Sequence, residues 1–407
     1  MSKKFKAMSL IIAGLMGVTL LSGCGSIGGN SSNGNSDDEI IVWSYLMDNE
    51  VEEVNKIAQE WGKENNRKVT VVKDNSDFQN FLQAANSSKG PDVVFGIAHN
   101  NLGTFHEAGL LEEIPDGFVN KDGYVNSTVW DAVSYDNKPF AVPISMETYA
   151  LFYNKDKVKQ MPENIEKLVE EAKAYGPSGF QFSMNEFYYT AAFVQSYGGY
   201  VFGNKNGTTD INDIGLGNEG SIKAYKFLQD LVQKDKLMPA DITTDIANSN
   251  FKTGNAIYYI GGPWDVSGFK DAGVNFGVVP IPKINNSDAK TFMGVQSAFV
   301  SSNSNKKDDS WNLLKYLVEN SPEKLYEVGN RLPVIKSKLE VDEIKNNEYS
   351  QAFIKQAQSS VPMPNVPEIE CIWEPLKNIT RIFNGEDVAT VAKDIELGVK
   401  DGIEMSK

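Results

Sequence analysis

The chain has 407 residues, of which 39 are Lys or Arg and 54 are Asp or Glu, so its formal net charge is −15. This acidic balance argues against nucleic acid as a partner, because that binding needs a basic surface to displace counterions. Two histidines, His99 and His106, and two cysteines, Cys24 and Cys371, offer little from which to build a zinc site. We expect neither a metal nor another cofactor.

The amino terminus has the segment order of a secretory signal. Three lysines within residues 3–6 precede an apolar run from Met8 to Leu21, which is too short for a permanent membrane span. The run ends at Leu21-Ser22-Gly23-Cys24, which resembles the lipobox of bacterial lipoproteins. The resemblance implies that residues 1–23 are a signal peptide and that Cys24 is diacylated. An ordinary signal peptide that ends at a cysteine is the alternative.

Residues 24–38 form a Gly/Ser/Asn tract with almost no apolar content, which we expect to act as a flexible tether. If Cys24 carries lipid, Cys371 has no partner for an internal disulfide, so stability must come from packing. The folded body begins near Glu39, and its length to Lys407 exceeds what one hydrophobic core usually serves. We therefore expect two lobes.

Strands and helices alternate in the first part of this body. A short apolar run predicts a strand over 40–43, and apolar residues at helical spacing follow at positions 51, 54, 57, 58 and 61. The pattern repeats, with strands predicted over 69–73 and 93–95 and helices over 78–85 and 102–108; Gly109 can cap the second helix. Such alternation predicts an α/β fold with a mostly parallel sheet and a ligand crevice beyond the carboxyl ends of its strands.

A second set of elements begins after Pro143. Apolar runs predict strands over 150–153, 180–182, 256–260 and 276–281, and helices over 165–174 and 222–232. The chain is expected to return to the first lobe over 294–300. Further helices are predicted over 311–318, 325–328, 369–383 and 388–403.

The turn Gly261-Gly262-Pro263-Trp264 lies between a predicted strand and a predicted helix. The glycines free the backbone, Pro263 fixes the entry angle, and Trp264 stands at the strand end. A flat indole there can lie against the apolar face of a pyranose, which needs no charge on the ligand. Spacing alone favours a core tryptophan, because buried aromatic residues outnumber ligand platforms.

Two further clusters combine polar and aromatic residues. In Met363-Pro364-Asn365-Val366-Pro367 the prolines hold an extended segment, and Trp373 opens the helix that follows; a surface loop with a packed tryptophan is the alternative. In Asn185-Glu186-Phe187-Tyr188 a carboxylate stands beside an aromatic ring, the combination that sugar hydroxyls and ring faces require. Taken singly, Glu186 is typical of an acid at a helix amino terminus.

At this point the chain resembles the bacterial maltose/maltodextrin-binding proteins, within the extracellular solute-binding proteins of ATP-driven sugar importers. The matching segments keep one order across nearly the whole folded body: Gly90-Pro91-Asp92-Val93-Val94-Phe95, Ala98-His99, Gly109-Leu110-Leu111, Trp130-Asp131-Ala132-Val133, Pro143-Ile144, Tyr153-Asn154-Lys155-Asp156, Gly198-Gly199-Tyr200, Gly262-Pro263-Trp264 and Met363-Pro364-Asn365-Val366-Pro367.

The resemblance implies a set of ligand-binding residues: stacking aromatics Tyr188, Trp264 and Trp373, carboxylates Glu147 and Glu186, and the apolar contact Met363. It also exposes departures in the first lobe. Gly96-Ile97 stands where the family has a tryptophan, and Asn100-Asn101 replaces an Asp-Arg pair. Later in the chain, Thr244 replaces a tyrosine and Lys377 an arginine. The preferred chain length of the sugar is therefore left open.

The resemblance implies a two-lobed periplasmic-binding-protein-like fold with an interlobe cleft. The first lobe comprises 39–145 and 295–342, the second 146–294 and 349–407, and hinge segments cross near Ser145–Thr148 and Gly294–Gln296. The implied function is capture of maltose and maltodextrins for an ABC importer permease by a lipid-anchored monomer at the extracytoplasmic face of the cell membrane. The alternatives are a binder of another oligosaccharide, a sugar-sensing adaptor, or a surface glycosidase using Glu147 and Glu186. We expect no enzymatic activity, since no tuned acid–base constellation stands out.

Overall fold

A computed structural model describes residues 39–76, 78–87, 89–135, 138–205 and 207–406. The predicted signal peptide, the tether and Cys24 lie outside these residues. No helix within the described ranges combines the length and the apolar character that crossing a membrane requires. Cys371 is half-buried and unpaired among the described residues.

Two main sheets organise the described chain. The first has seven strands in the order β14-β6-β13-β3-β1-β2, with β15 beside β13, and the second has four in the order β12-β7-β11-β8. Two hairpins, β4-β5 and β9-β10, stand apart. The strands are β1 (Glu39–Ser44), β2 (Lys68–Lys73), β3 (Val93–Ala98), β4 (Ser134–Tyr135), β5 (Lys138–Pro139), β6 (Val142–Glu147), β7 (Ala150–Asn154), β8 (Phe180–Gln181), β9 (Phe202–Lys205), β10 (Thr208–Ile214), β11 (Tyr258–Gly261), β12 (Phe276–Val279), β13 (Phe292–Val300), β14 (Leu332–Pro333) and β15 (Val361–Pro362).

The expectation of a mostly parallel sheet is wrong. β1 lies parallel to β2 and β3, as the alternating strand and helix pattern predicts, but β13 is antiparallel to both of its neighbours β3 and β6. In the second sheet β7 is antiparallel to β11 and β12. The local pattern cannot reveal this, because β13 enters the first sheet from a distant part of the chain rather than through a neighbouring crossover helix.

The helices cover these sheets with apolar faces that follow helical spacing. In α1 the predicted positions Val51, Val54, Ile57, Ala58 and Trp61 are all buried, and the helix packs on β2. The helices are α1 (Asp48–Glu64), α2 (Phe78–Ala85), α3 (Leu102–Glu107), α4 (Thr128–Asp131), α5 (Ile165–Lys173), α6 (Phe187–Ser196), α7 (Glu219–Gln233), α8 (Thr244–Lys252), α9 (Val266–Asp271), α10 (Lys307–Asn320), α11 (Pro322–Gly329), α12 (Lys336–Leu339), α13 (Asp342–Lys345), α14 (Glu348–Ala357), α15 (Trp373–Leu376), α16 (Ile379–Phe383) and α17 (Val388–Met405).

Three passages of the chain, around Thr148, Thr291 and Ser360, meet between the first sheet and the second. β6 and β13 pair through Gly294 opposite Glu147, and the chain then continues from β6 directly into β7. Just beyond this pairing, the hydroxyl of Thr148 lies 2.8 Å from that of Thr291 and 3.2 Å from that of Ser360. All three side chains are buried. We call them the hydroxyl cluster.

The segment 361–366 packs against residues that precede or follow strands of the first sheet. The Met363 carbonyl accepts a hydrogen bond of 3.0 Å from His99, and the Asn365 amide donates to the carbonyls of Ala132 and Ser134. Gly103 has no room for a Cβ beside this segment. The predicted lobe boundaries stay a prediction.

Candidate functional site

A pocket of about 360 Å³ lies where elements of the two sheets meet. Met47 and Asn49 follow the carboxyl end of β1, Glu147 ends β6, and Trp264 follows β11. The position agrees with the general rule that α/β sheets bind ligands beyond their strand ends. The complete lining is Met47, Asn49, Glu50, Glu147, Pro263, Trp264, Val328, Gly329, Asn330 and Arg331.

Trp264 projects into this pocket from the turn after β11. Its side chain is 44% exposed, so the alternative of a core tryptophan is wrong. The glycines before it are needed for space rather than for an unusual backbone, since neither has a positive φ. A Cβ on Gly262 would overlap the Trp264 indole, and a Cβ on Gly261 would overlap Asp265. The absence of both side chains lets the indole fold back over the turn.

Asp265 stabilises the turn through hydrogen bonds. This buried carboxylate accepts hydrogen bonds from the Gly262 backbone N–H at 3.1 Å, from the Tyr259 hydroxyl at 3.2 Å and from the Asn248 amide at 3.0 Å. Burial raises the pKa of Asp265 to about 6, while these hydrogen bonds oppose the rise. The turn that carries Trp264 is therefore stabilised by the Asp265 carboxylate, which is not among the residues that line the pocket.

Tyr188 lies behind Trp264 and links it to an aromatic cluster. Its ring centroid is 6.4 Å from Trp264, 4.9 Å from Tyr149 and 6.4 Å from Phe292. Burial raises the pKa of the Tyr188 hydroxyl well above its ordinary value, and the charge of Glu147 raises it further. The structure thus brings Tyr188, Trp264 and Glu147 together, and the tyrosine stays neutral.

Glu186 occupies the N-cap position of α6, but its carboxylate makes no capping hydrogen bond. Instead one oxygen accepts from the Ser183 hydroxyl at 2.8 Å and from the Thr244 hydroxyl at 2.6 Å. The side chain is exposed. Thr244, which stands where the family has a tyrosine, therefore orients Glu186.

Met363 and Trp373 are not among the described residues that line the Trp264 pocket. Met363 lines a second cavity of about 650 Å³, together with parts of α4, the β9-β10 hairpin and the segment 361–368. Trp373 is half-buried and begins α15, as the sequence predicts. Of the six predicted residues, Glu147 and Trp264 line this pocket, Tyr188 contacts Trp264 from behind, and Glu186, Met363 and Trp373 are not among its lining residues.

The first-lobe departures are explained by local packing. Gly96 has a φ of +89°, and a Cβ there would overlap the side chain of Leu46. Ile97 is buried in β3, and the Asn101 amide donates to the Ala98 carbonyl at 3.2 Å. At these positions the chain thus offers a β-bulge at Gly96 and a core side chain at Ile97. The residues that line this side of the pocket are Met47 and Asn49, in a stretch to which the sequence assigned no role.

Sequence reasoning also missed two of the charged residues that line the pocket, Glu50 and Arg331. The guanidinium of Arg331 lies between the carboxylates of Glu50 and Glu147, with a closest approach of 2.7 Å to each. Glu50 and Arg331 are 281 residues apart, so no local motif signals the pair. Among the residues the structure describes, no group of three or more His, Cys, Asp or Glu side chains could hold a metal ion.

The family follows from comparison with known proteins. Residues 56–351 match the family model described as bacterial extracellular solute-binding protein, which is well over half of the chain. The fold is of the two-lobed solute-binding class, and the chain belongs to the bacterial extracellular solute-binding protein family.

Three similar proteins illustrate the range of this relationship. The chain is 32% identical over 377 residues to the galactooligosaccharide-binding protein of Bacillus subtilis, covering 87% of each chain. It is 29% identical to a maltooligosaccharide ABC transporter solute-binding lipoprotein of Streptococcus pneumoniae, covering 99% of each. The crystal structure of a cyclo/maltodextrin-binding protein complexed with maltotetraose matches with a TM-score of 0.83 and 29% identity, covering 91% of this chain and 98% of that one.

Proposed function

We propose that the protein is the substrate-binding subunit of an ABC importer and that it binds malto-oligosaccharides at the Trp264 pocket. One observation carries the proposal: an exposed indole, backed by Tyr188, faces a pocket that also contains the ion-paired carboxylate of Glu147. Apolar ring faces beside fixed polar groups match the two kinds of surface that a pyranose presents. Glu186, Met363 and Trp373 are proposed as further contacts on the strength of the family resemblance.

The ligand is proposed to bind between two lobes, with boundaries as predicted from the sequence. The pocket supports this because Met47 and Asn49 follow a strand of the first sheet, whereas Pro263 and Trp264 follow a strand of the second. A ligand that touches both sides stabilises the closed arrangement, since only a difference in affinity between two forms can shift their equilibrium.

The anchoring and the partners are proposed from the sequence together with the relatives. A diacylated Cys24 would hold a monomer at the extracytoplasmic face of the membrane, and the tether 25–38 would let it reach a permease. The description of the Streptococcus pneumoniae relative as a solute-binding lipoprotein of an ABC transporter supports this arrangement.

We propose that the protein is not an enzyme. A glycosidase needs one carboxyl group that donates a proton and a second that acts as a nucleophile or base. Glu147 is paired with a guanidinium, and Glu186 is held by two hydroxyls. Incubation of the purified protein with maltoheptaose should therefore produce no shorter sugars, and their appearance would restore the glycosidase alternative.

A second candidate ligand is a galacto-oligosaccharide, which is favoured by the Bacillus subtilis relative named for that sugar. Linear glucans and galacto-oligosaccharides both offer apolar ring faces to an indole, so the pocket alone does not separate them.

Isothermal calorimetry on a soluble chain that starts at Gly25 tests both ligands. The titrants are maltose, maltotetraose, a cyclic dextrin, a galacto-oligosaccharide of matched length and sucrose as an unrelated disaccharide. We expect the tightest binding for a glucan. Binding to the galacto-oligosaccharide alone would replace the substrate, and no binding to any sugar would overturn the function.

A further inference from the structure

Arg331 forms a bridge between a buried carboxylate and one that lines the Trp264 pocket. Its Nε donates to Glu50 at 2.7 Å and its Nη2 at 3.3 Å, while Nη1 donates to Glu147 at 2.7 Å. Glu50 is only 1% exposed, and the side chains of Arg331 and Glu147 are 18% and 26% exposed. The guanidinium uses two edges at once, which its planar fork of donors allows and an ammonium does not.

The surrounding backbone is shaped to hold this bridge. A Cβ on Gly329 would overlap the Glu50 carboxylate, so only glycine leaves space for it. Asn330 then takes a left-handed conformation, with φ of 52°, and ends α11 just before Arg331. Glu50 also accepts the Met47 backbone N–H at 2.9 Å. One buried carboxylate therefore fixes both Arg331 and the start of α1, where Met47 faces the pocket.

We propose that Arg331 is a positioning residue of the binding site, which holds the Glu147 carboxylate in the orientation that a bound sugar meets. The inference rests on the proposed function and deepens it. Glu147 makes its hydrogen bond to Arg331 through Oε2, and the Glu147 side chain lines the same pocket as Trp264. An oriented carboxylate binds a hydroxyl more strongly than a mobile one, because no rotamer freedom is lost on binding.

The bridge also narrows the class of ligand. Arg331 is occupied on two edges by carboxylates, and the three groups together carry a net charge of −1. A uronate or a phosphorylated sugar would meet this charge without a free guanidinium to compensate for it. The arrangement therefore suits a neutral oligosaccharide.

The test is a double-mutant cycle with Arg331→Lys, Glu147→Ala and the combined variant, with maltotetraose as the ligand in calorimetry. Arg331→Lys keeps the positive charge but loses the two-edged bridge, and we expect the affinity to fall by about tenfold or more, as for lost hydrogen bonds to charged groups. In the Glu147→Ala background, where no side chain is left for Arg331 to orient, the same change should have little further effect. A residue with a purely structural role would give equal losses in both backgrounds.

The matched control is Arg381→Lys. Arg381 donates through Nε and Nη2 to Glu386 and through Nη1 to Asp394, which reproduces the two-edged bridge at an exposed place outside the pocket. This variant should bind as the wild type does. A loss of affinity in the control similar to that of Arg331→Lys would overturn the inference.

A second double-mutant cycle measures the free energy of unfolding of the same variants in urea without ligand, and it tests whether Arg331 and Glu147 interact. We expect the effects of the two substitutions on this free energy to be non-additive. If the wild type binds glucan but both cycles are additive, the positioning role fails and the proposed function stands. If the wild type binds no sugar in calorimetry, the proposed function fails and the role of Arg331 in binding fails with it.

Discussion

Trp264 is a large aromatic residue for which we propose a contribution to sugar binding rather than to the core. Because its side chain is 44% exposed, truncation removes less buried area than it would at a core tryptophan. We expect Trp264→Ala to weaken binding of maltotriose by at least ~0.5 to 1.5 kcal/mol, the aromatic term before lost area is added. Calorimetry measures the loss of affinity, and thermal unfolding measures separately the loss of stability that comes from the buried part of the side chain.

Tyr175→Ala is the control for this variant. Tyr175 is exposed to a similar extent, donates to the Lys157 carbonyl at 3.1 Å and does not line the pocket. Its removal should leave sugar affinity unchanged. Unaltered affinity in Trp264→Ala would remove the stacking platform from the proposed function.

His99 is a buried imidazole that must stay neutral. Its Nδ1 accepts from the Val295 N–H at 3.1 Å, so its Nε2 carries the proton donated to the Met363 carbonyl. Burial lowers the pKa of His99 to about 4, although the hydrogen bond to the Met363 carbonyl opposes the shift. Protonation would place an N–H against the Val295 N–H.

The consequence is a pH-dependent stability. In the unfolded chain His99 binds a proton below about pH 6.5, whereas in the folded protein it does so only near pH 4. Its contribution to stability is therefore complete above pH 6.5 and is lost as the pH falls from 6.5 to 4, by about 3 kcal/mol. Urea unfolding of the wild type and of His99→Gln across this range measures the difference. Parallel curves for the two proteins would contradict the prediction.

Among the structural elements, three separate passages of the chain are joined by the buried side chains of the hydroxyl cluster. Thr148 donates to the Phe292 carbonyl at 2.8 Å and lies within hydrogen-bonding distance of both Thr291 and Ser360. Thr148→Val keeps the shape but removes the donor to the buried Phe292 carbonyl, which should lower the free energy of unfolding by about 1–3 kcal/mol. Chemical unfolding measures this loss.

Thr380→Val provides the comparison, because the Thr380 hydroxyl donates to the Lys377 carbonyl at an exposed place. Its effect should stay within about 0.5 kcal/mol. Equal effects of the two substitutions would mean that the hydroxyl cluster adds nothing to the joining of the passages.

The elements that could be predicted from the sequence are those whose burial follows a local period. α1 and β3 are found within a few residues of the predictions because their apolar faces repeat with the spacing of a helix or a strand. The direction of β13 could not be predicted, since it depends on where the chain re-enters the first sheet. The turn before Trp264 lies where the sequence predicts it. The reason for its glycines is steric, and it depends on side chains that fold back onto the turn, which the sequence pattern does not show.

The same division applies to the candidate site. Trp264, Tyr188 and Glu147 were named through the family resemblance, and the structure brings these three together. Arg331 and Met47 were not named, because a residue acquires such a role only through partners far away in sequence. Met47 is 62% exposed in the structure. No local sequence pattern distinguishes it as a residue that lines a pocket. Whether the predicted residues bind sugar is decided by the variants described above.

At the scale of the whole molecule, a pocket built from both sheets predicts that ligand binding and compaction occur together. A ligand that contacts Met47 on one side and Trp264 on the other favours the closed form by its difference in affinity. Small-angle X-ray scattering should therefore show a smaller radius of gyration with saturating maltotetraose, and a smaller decrease for Trp264→Ala at saturation. Sucrose at the same concentration is the control. Calorimetric binding of maltotetraose without any change in the radius of gyration would mean that the ligand contacts one lobe only.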